Sequence, residues 1–231
     1  MSKNELGDNL ILSAKRNVSR RRFLGYAGAT SALIITAASC KKDHAGSTSG
    51  NTVDLGSGDT GVLNYAYALE QLEAAFYIQV ITSPYSGISA LEMSYLSDVR
   101  DHEVAHREFF KAALAGSAIQ GLTPDFSSID FTSRTSVLGT AKAFEDLGVT
   151  AYNGAGKLLV SADYLLIAGK IVSVEARHAA TIRDLISPGT FADMTALDAN
   201  GLDTANTPST VLATAGKYIK ETISASKLPT S

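Results

Sequence analysis

Glu103-Val104-Ala105-His106 and Glu175-Ala176-Arg177-His178 spell one pattern, Glu-x-x-His, twice. Each lies inside an apolar run with helical spacing. On a helix, residues i and i+3 share a face and stand about 4.5 Å apart along the axis. A carboxylate and an imidazole placed this way can aim at one point. Packing alone would ask for leucine at these inward positions, because an unpaired carboxylate in a helical core is strongly unfavourable.

A repeat supplies two further carboxylates. Ala68-Leu69-Glu70-Gln71-Leu72 lines up with Ala143-Phe144-Glu145-Asp146-Leu147, and a tyrosine follows each glutamate at the same spacing, Tyr77 and Tyr152. The step along the chain from Glu70 to Glu145 nearly equals the step from Glu103 to Glu175. The chain reads as a duplicated helix pair. The alignment sets Glu73 opposite Gly148, which selects Glu70 over Glu73 as the ligand and leaves Glu73 at the surface or beside the ligands. Four carboxylates meeting in a core repel one another, and two divalent cations would balance them. The expected metal ligands are therefore Glu70, Glu103, His106, Glu145, Glu175 and His178. Tyr77 and Tyr152 share the ligand faces, either as packing or with a hydroxyl that bonds a ligand carboxylate or relays an electron. His102 points about 100° away from the motif and reads first as a surface residue, with a place beside the ligands as the lesser alternative. Arg177 and Asp101 are either surface groups or partners that orient the imidazoles.

The rest of the chain fits an all-α bundle. Helical periodicity covers residues 60–81, ended by Pro84, and a second helix opens on the capping box Ser89-Ala90-Leu91-Glu92 and stops at Gly116. A third covers 135–159, with Gly154 and Gly156 near its end, and a fourth covers 162–186 before Pro188. Short turns join helices one to two and three to four. About twenty residues separate helices two and three, a long crossover for a compact domain. One crossover between two antiparallel pairs is the ferritin-like connection. An outer helix is expected over 208–225.

Residues 1–39 read as an address. Lys15, Arg16, Arg20, Arg21 and Arg22 precede an apolar stretch, 25–38, too short to span a membrane. Ser19-Arg20-Arg21-Arg22-Phe23-Leu24 reads as a twin-arginine signal. Ala37-Ala38-Ser39-Cys40 resembles a lipobox with alanine where leucine is preferred, so Cys40 is the expected lipid acceptor. It is the sole cysteine, which excludes an internal disulfide and a Cys-x-x-Cys metal knuckle. Residues 40–59 read as a flexible tether. Removing 1–39 takes away six of the 20 basic side chains and only two of the 23 acidic ones. What is left is clearly acidic, which opposes nucleic-acid binding.

Taken together, Leu69-Glu70-Gln71-Leu72-Glu73-Ala74, Glu103-Val104-Ala105-His106, the run from Phe144-Glu145-Asp146 to Ala151-Tyr152, and Val174-Glu175-Ala176-Arg177-His178 resemble the ferritin-like superfamily. The resemblance spans about residues 60–187, with 188–231 as a loop and the outer helix. It is most marked to exported bacterial ferritin-like domain proteins of the desiccation-related type. It implies that Glu103 and Glu175 can each bridge the two metals. The oxygen-rich ligand set suits iron or manganese, with iron preferred. It does not fix a reaction, since the superfamily includes ferroxidases, peroxidases, manganese catalases and oxygenases.

Two classes of function follow. One is an exported dinuclear metalloenzyme of oxidative-stress type acting on O₂ or H₂O₂. The absence of rubredoxin-type cysteines leaves it no electron donor in cis. The other is a non-catalytic metal-binding or structural lipoprotein whose metal staples the bundle. A periplasmic or outer-surface place, attached to the membrane through lipid, suits both. Self-association into a homo-oligomer stays open, although a tethered subunit fits poorly into a closed shell.

Overall fold

A computed structural model describes residues 51–230. The twin-arginine stretch, the apolar run and Cys40 lie outside the described residues. Five helices follow a short strand: β1 (Thr52–Asp54), α1 (Gly58–Thr82), α2 (Ala90–Leu114), α3 (Arg134–Gly156), α4 (Ala162–Ile186), α5 (Pro208–Ala215) and a closing strand, β2 (Thr222–Ser224). Four long helices form the expected all-α bundle, and α5 is the extra C-terminal helix. α1 packs along α2 and α3 along α4, while α1 also meets α3, and α2 meets α4. Among the described residues no helix is long and apolar enough to cross a membrane.

The local chemistry sets the helix ends. Ser89 Oγ accepts from the Glu92 amide at 3.1 Å, and the Glu92 carboxylate accepts from the Ser89 amide at 3.0 Å, completing the capping box. Ser133, Ser161 and Thr207 cap α3, α4 and α5 with their side-chain oxygens, and Pro208 opens α5. α3 stops at Gly156, short of the sequence-based limit and inside the segment that Gly154 and Gly156 weaken. Gly154 has a second reason to be glycine, because a Cβ there would collide with the Asn206 backbone.

The long crossover is held by side chains of α1 and by the chain's tail. Asn64 accepts from the Ile119 amide at 2.9 Å and donates to the carbonyls of Leu55 and Ser117. Gln71 accepts from the Leu122 amide at 2.9 Å. Buried Glu221 takes the amide and hydroxyl of Thr123, each at 2.8 Å. Beyond the 3₁₀ turn at Ala115–Ser117 and a single bridge between Pro124 and Ile219, these bonds satisfy backbone groups that lie outside regular structure.

The tail differs from the expected helix over 208–225. α5 ends at Ala215, and Thr222-Ile223-Ser224 runs parallel to Thr52-Val53-Asp54. β-branched residues at 222 and 223 favour the extended form. Residues 52–54, which the sequence assigns to the tether, are thus strand-paired.

Two apolar clusters fill the bundle. One gathers Phe76, Tyr77, Leu96, Val137, Phe144 and Ile182, with Phe126, Phe131 and Tyr218 packed on it. The other joins Leu63, Tyr67, Phe110, Leu114, Tyr152 and Ile171. The buried carboxylates make contact with Tyr77 of the first cluster and Tyr152 of the second.

Candidate metal centre

The six predicted ligands converge. Each of the four long helices brings one of the predicted glutamates to the core, Glu70 from α1, Glu103 from α2, Glu145 from α3 and Glu175 from α4, and all four are fully buried. His106 and His178 stand one turn beyond Glu103 and Glu175, with side-chain exposures of 13% and 5%. Two sets of four can each surround one ion: Glu70, Glu103, His106 and Glu175; and Glu103, Glu145, Glu175 and His178. Within each set the ligand atoms lie within 4.8 Å of one another.

The sets divide atom by atom. Nδ1 of His106 lies 3.5 Å from Glu70 Oε2, 3.7 Å from Glu103 Oε2 and 3.0 Å from Glu175 Oε1. Nδ1 of His178 lies 2.8 Å from Glu103 Oε1, 3.3 Å from Glu145 Oε2 and 4.0 Å from Glu175 Oε2. Glu103 and Glu175 therefore give one oxygen to each set, whereas Glu70 and Glu145 each give one oxygen to a single set. Neighbouring ligands around one ion at about 2.1 Å are separated by about 3 Å, which is the scale of these contacts.

All eight of these atoms are buried without a hydrogen-bond partner. Orphaned polar atoms at this density are rare in a folded protein. A pair of cations would satisfy every one of them, and the mix of carboxylate oxygen and imidazole nitrogen suits iron or manganese. The residues present therefore fit a dinuclear centre.

The two oxygens not aimed inward are also accounted for. Tyr77 donates to Glu145 Oε1 at 2.5 Å, and Tyr152 donates to Glu70 Oε1. Each tyrosine thus crosses to the glutamate of the other half. The sequence places both tyrosines on the ligand faces but not this exchange, and the carboxylates bonded are the two that serve a single set. Burial and the adjacent glutamates keep both phenols protonated, far above the ordinary tyrosine range.

The electrostatics reflect charges confined together in a buried space. Burial, opposed by His106 and reinforced by Glu103, brings Glu70 up to about 7. Burial and the neighbouring carboxylates push Glu175 well above its ordinary value, and burial also raises Glu145. Glu103 goes the other way: burial raises it, but the contacts with His106 and His178 overcome that and hold it at about 2. Burial lowers both imidazoles, and their carboxylate contacts overcome it, raising His106 to about 12 and His178 to about 10.

Further residues stand at or near the site. Glu73 is buried, at 4% exposure, which removes the surface reading. A Cβ on Gly148 would lie 3.2 Å from Glu73 Oε1 and 3.4 Å from Glu175 Oε2. The pairing of Glu73 with Gly148 in the repeat is thus a packing partnership, and that mismatch was the signal for it. His102 is exposed, as expected for a surface residue, yet its Nδ1 lies 2.9 Å from Nε2 of His178. The periodicity of one helix does not reveal a contact between α2 and α4. Arg177 bonds Ser173 and Asp101 bonds Arg100, so both take the surface alternative.

Comparison with curated proteins returns no match. A family model described as a ferritin-like domain matches residues 58–188, which contain all four long helices and all six convergent side chains. That match covers more than half of the 231 residues, and the chain belongs to the ferritin-like domain family.

Proposed function

We propose that this protein binds two iron or two manganese ions between its four long helices and uses them in oxidative-stress chemistry on O₂ or H₂O₂, of ferroxidase, peroxidase or catalase type. One observation carries the reading: eight buried, unpartnered ligand atoms divide into two sets of four that share Glu103 and Glu175. The bound ions would supply the change of oxidation state that such a reaction requires. The chain's own residues hold the ligands and exclude water. Tyr77 and Tyr152 each keep a proton on Oη and donate it to Glu145 and Glu70, which leaves the second oxygen of each glutamate free to ligate.

Plasma emission on protein purified through its native export route tests the metal. Close to two equivalents of iron or manganese per chain is the expected result. Less than half an equivalent after reconstitution overturns the proposal. The four glutamates, each at 0% exposure, favour a second reading in which the metal staples the bundle without turnover. Stoichiometric metal with no change on adding peroxide or oxygen selects that reading.

The same proposal puts the protein among exported ferritin-like proteins of the desiccation-related type, and has it exported folded by the twin-arginine route and attached to the membrane through lipid on Cys40. A site assembled from four helices must fold before export to keep its metal. Replacing Arg20 and Arg21 together with Lys should hold precursor in the cytoplasm, and Cys40→Ala should release protein from the membrane fraction. Unchanged membrane attachment of Cys40→Ala overturns the anchor.

A further inference from the structure

The two halves of the site match in their ligand atoms and differ behind them. His178 turns Nδ1 toward Glu103 and Nε2 toward Nδ1 of His102, 2.9 Å away. The two rings stack, with centroids 5.1 Å apart and planes within 9°. His102 precedes Glu103 on α2, so the contact ties one Glu-x-x-His motif to the imidazole of the other. Among the described residues His106 makes no corresponding hydrogen bond, and its side chain is more exposed, 13% against 5%.

An imidazole that ligates through Nδ1 carries its hydrogen on Nε2. For His178 that hydrogen points at Nδ1 of His102, which accepts it. Such a bond fixes both tautomer and ring orientation and strengthens the ligand, and outer partners of this kind typically change metal affinity about 10- to 100-fold. For His106, no protein group among the described residues takes up Nε2 in this way. Glu73 adds to the difference, because its Oε1 shares the space at Gly148 with Glu175 Oε2, the oxygen that belongs to the His178 set.

We infer that His102 is a positioning residue for His178 and makes the position formed by Glu103, Glu145, Glu175 and His178 the tighter of the two, so that the metals bind in order. This rests on the dinuclear reading above.

Cobalt(II) titration of the full apo chain, followed by visible absorption and calorimetry, tests it without any assay of turnover. The wild type should fill in two steps with dissociation constants at least about tenfold apart. His102→Ala should weaken the tighter step by about 10- to 100-fold and leave the weaker one in place. His102→Asn, which retains an acceptor near Nδ1, should restore most of the loss. In a His178→Ala background, His102→Ala should change nothing further. Two equivalent sites in the wild type, or equal weakening of both steps by His102→Ala, overturns the inference while leaving the dinuclear centre intact. No cobalt binding at all removes the centre and the inference with it.

Discussion

Glu73 occupies the space that a side chain at residue 148 would need, with its Oε1 3.2 Å from where a Cβ would stand. Gly148→Ala should therefore crowd both Glu73 and Glu175. Overpacking of this kind destabilises by about 1–3 kcal/mol. Glu73→Ala should keep most of the metal-dependent gain in melting temperature, and adding it to Gly148→Ala should recover most of the loss. Additive effects in thermal melts of the two single variants and the double variant would show that the two residues do not share this space.

Removal of single ligands should separate the two positions. Glu103 and Glu175 each present one oxygen to both sets, so Glu103→Ala and Glu175→Ala should abolish the stabilisation by metal. Glu70→Ala and Glu145→Ala should each reduce metal content from about two equivalents to about one. Plasma emission on the four variants checks this. If loss of Glu70 empties the protein while loss of Glu103 does not, the division of atoms described above is wrong.

The pH dependence has a definite sign. Glu70, at about 7, and Glu73 and Glu175, well above the carboxylate range, have folded values raised above their unfolded ones, in each case with burial as the largest cause. Their contribution to apo stability is full below about 4.5 and is lost as pH rises through the folded values. Glu103, held at about 2, acts oppositely, and its contribution disappears only as pH falls through that value. The apo melting temperature should fall between about pH 5 and 8. Metal must also displace protons from His178, at about 10, and His106, at about 12. Apparent metal affinity should consequently rise over the same window, by about tenfold per pH unit for each proton released. Calorimetry in buffers of different ionisation enthalpy counts those protons, and a pH-independent affinity would contradict the assignment.

Tyr77→Phe and Tyr152→Phe each remove a donor from a buried carboxylate, which costs about 1–3 kcal/mol. Metal content should be unchanged, since the oxygens aimed inward are not those the tyrosines bond. Oxidation of the bound metal by peroxide should slow in the double variant. Equal rates in stopped-flow measurements would reduce both tyrosines to packing and carboxylate orientation.

The bundle and its six convergent side chains were legible because each rests on a local regularity. The i, i+3 spacing of Glu103 with His106 and of Glu175 with His178 survives any detail of packing, and the duplication identified Glu70 and Glu145. The contacts between elements were not legible. Nothing in the spacing of α2 shows that His102 reaches His178 on α4, or that Tyr77 serves Glu145 rather than the carboxylate of its own helix. The tail was misassigned for the same reason. Thr222, Ile223 and Ser224 are strand because Thr52-Val53-Asp54, at the opposite end of the described chain, offers them a partner.

That partner gives the fold a clasp. Thr222 donates to the Asn51 carbonyl at 3.0 Å, Leu55 donates to Ser224 at 3.1 Å, and Lys227 pairs with Asp54 at 2.5 Å. Leu228 lies over Gly61, near the start of α1. Because the strands are parallel, tension applied between residue 51 and the residues after Ser224 loads these bonds together, in shear. They cannot open one at a time. A pull on the chain from its N-terminal side therefore meets the clasp before it reaches α1, the helix that carries Glu70.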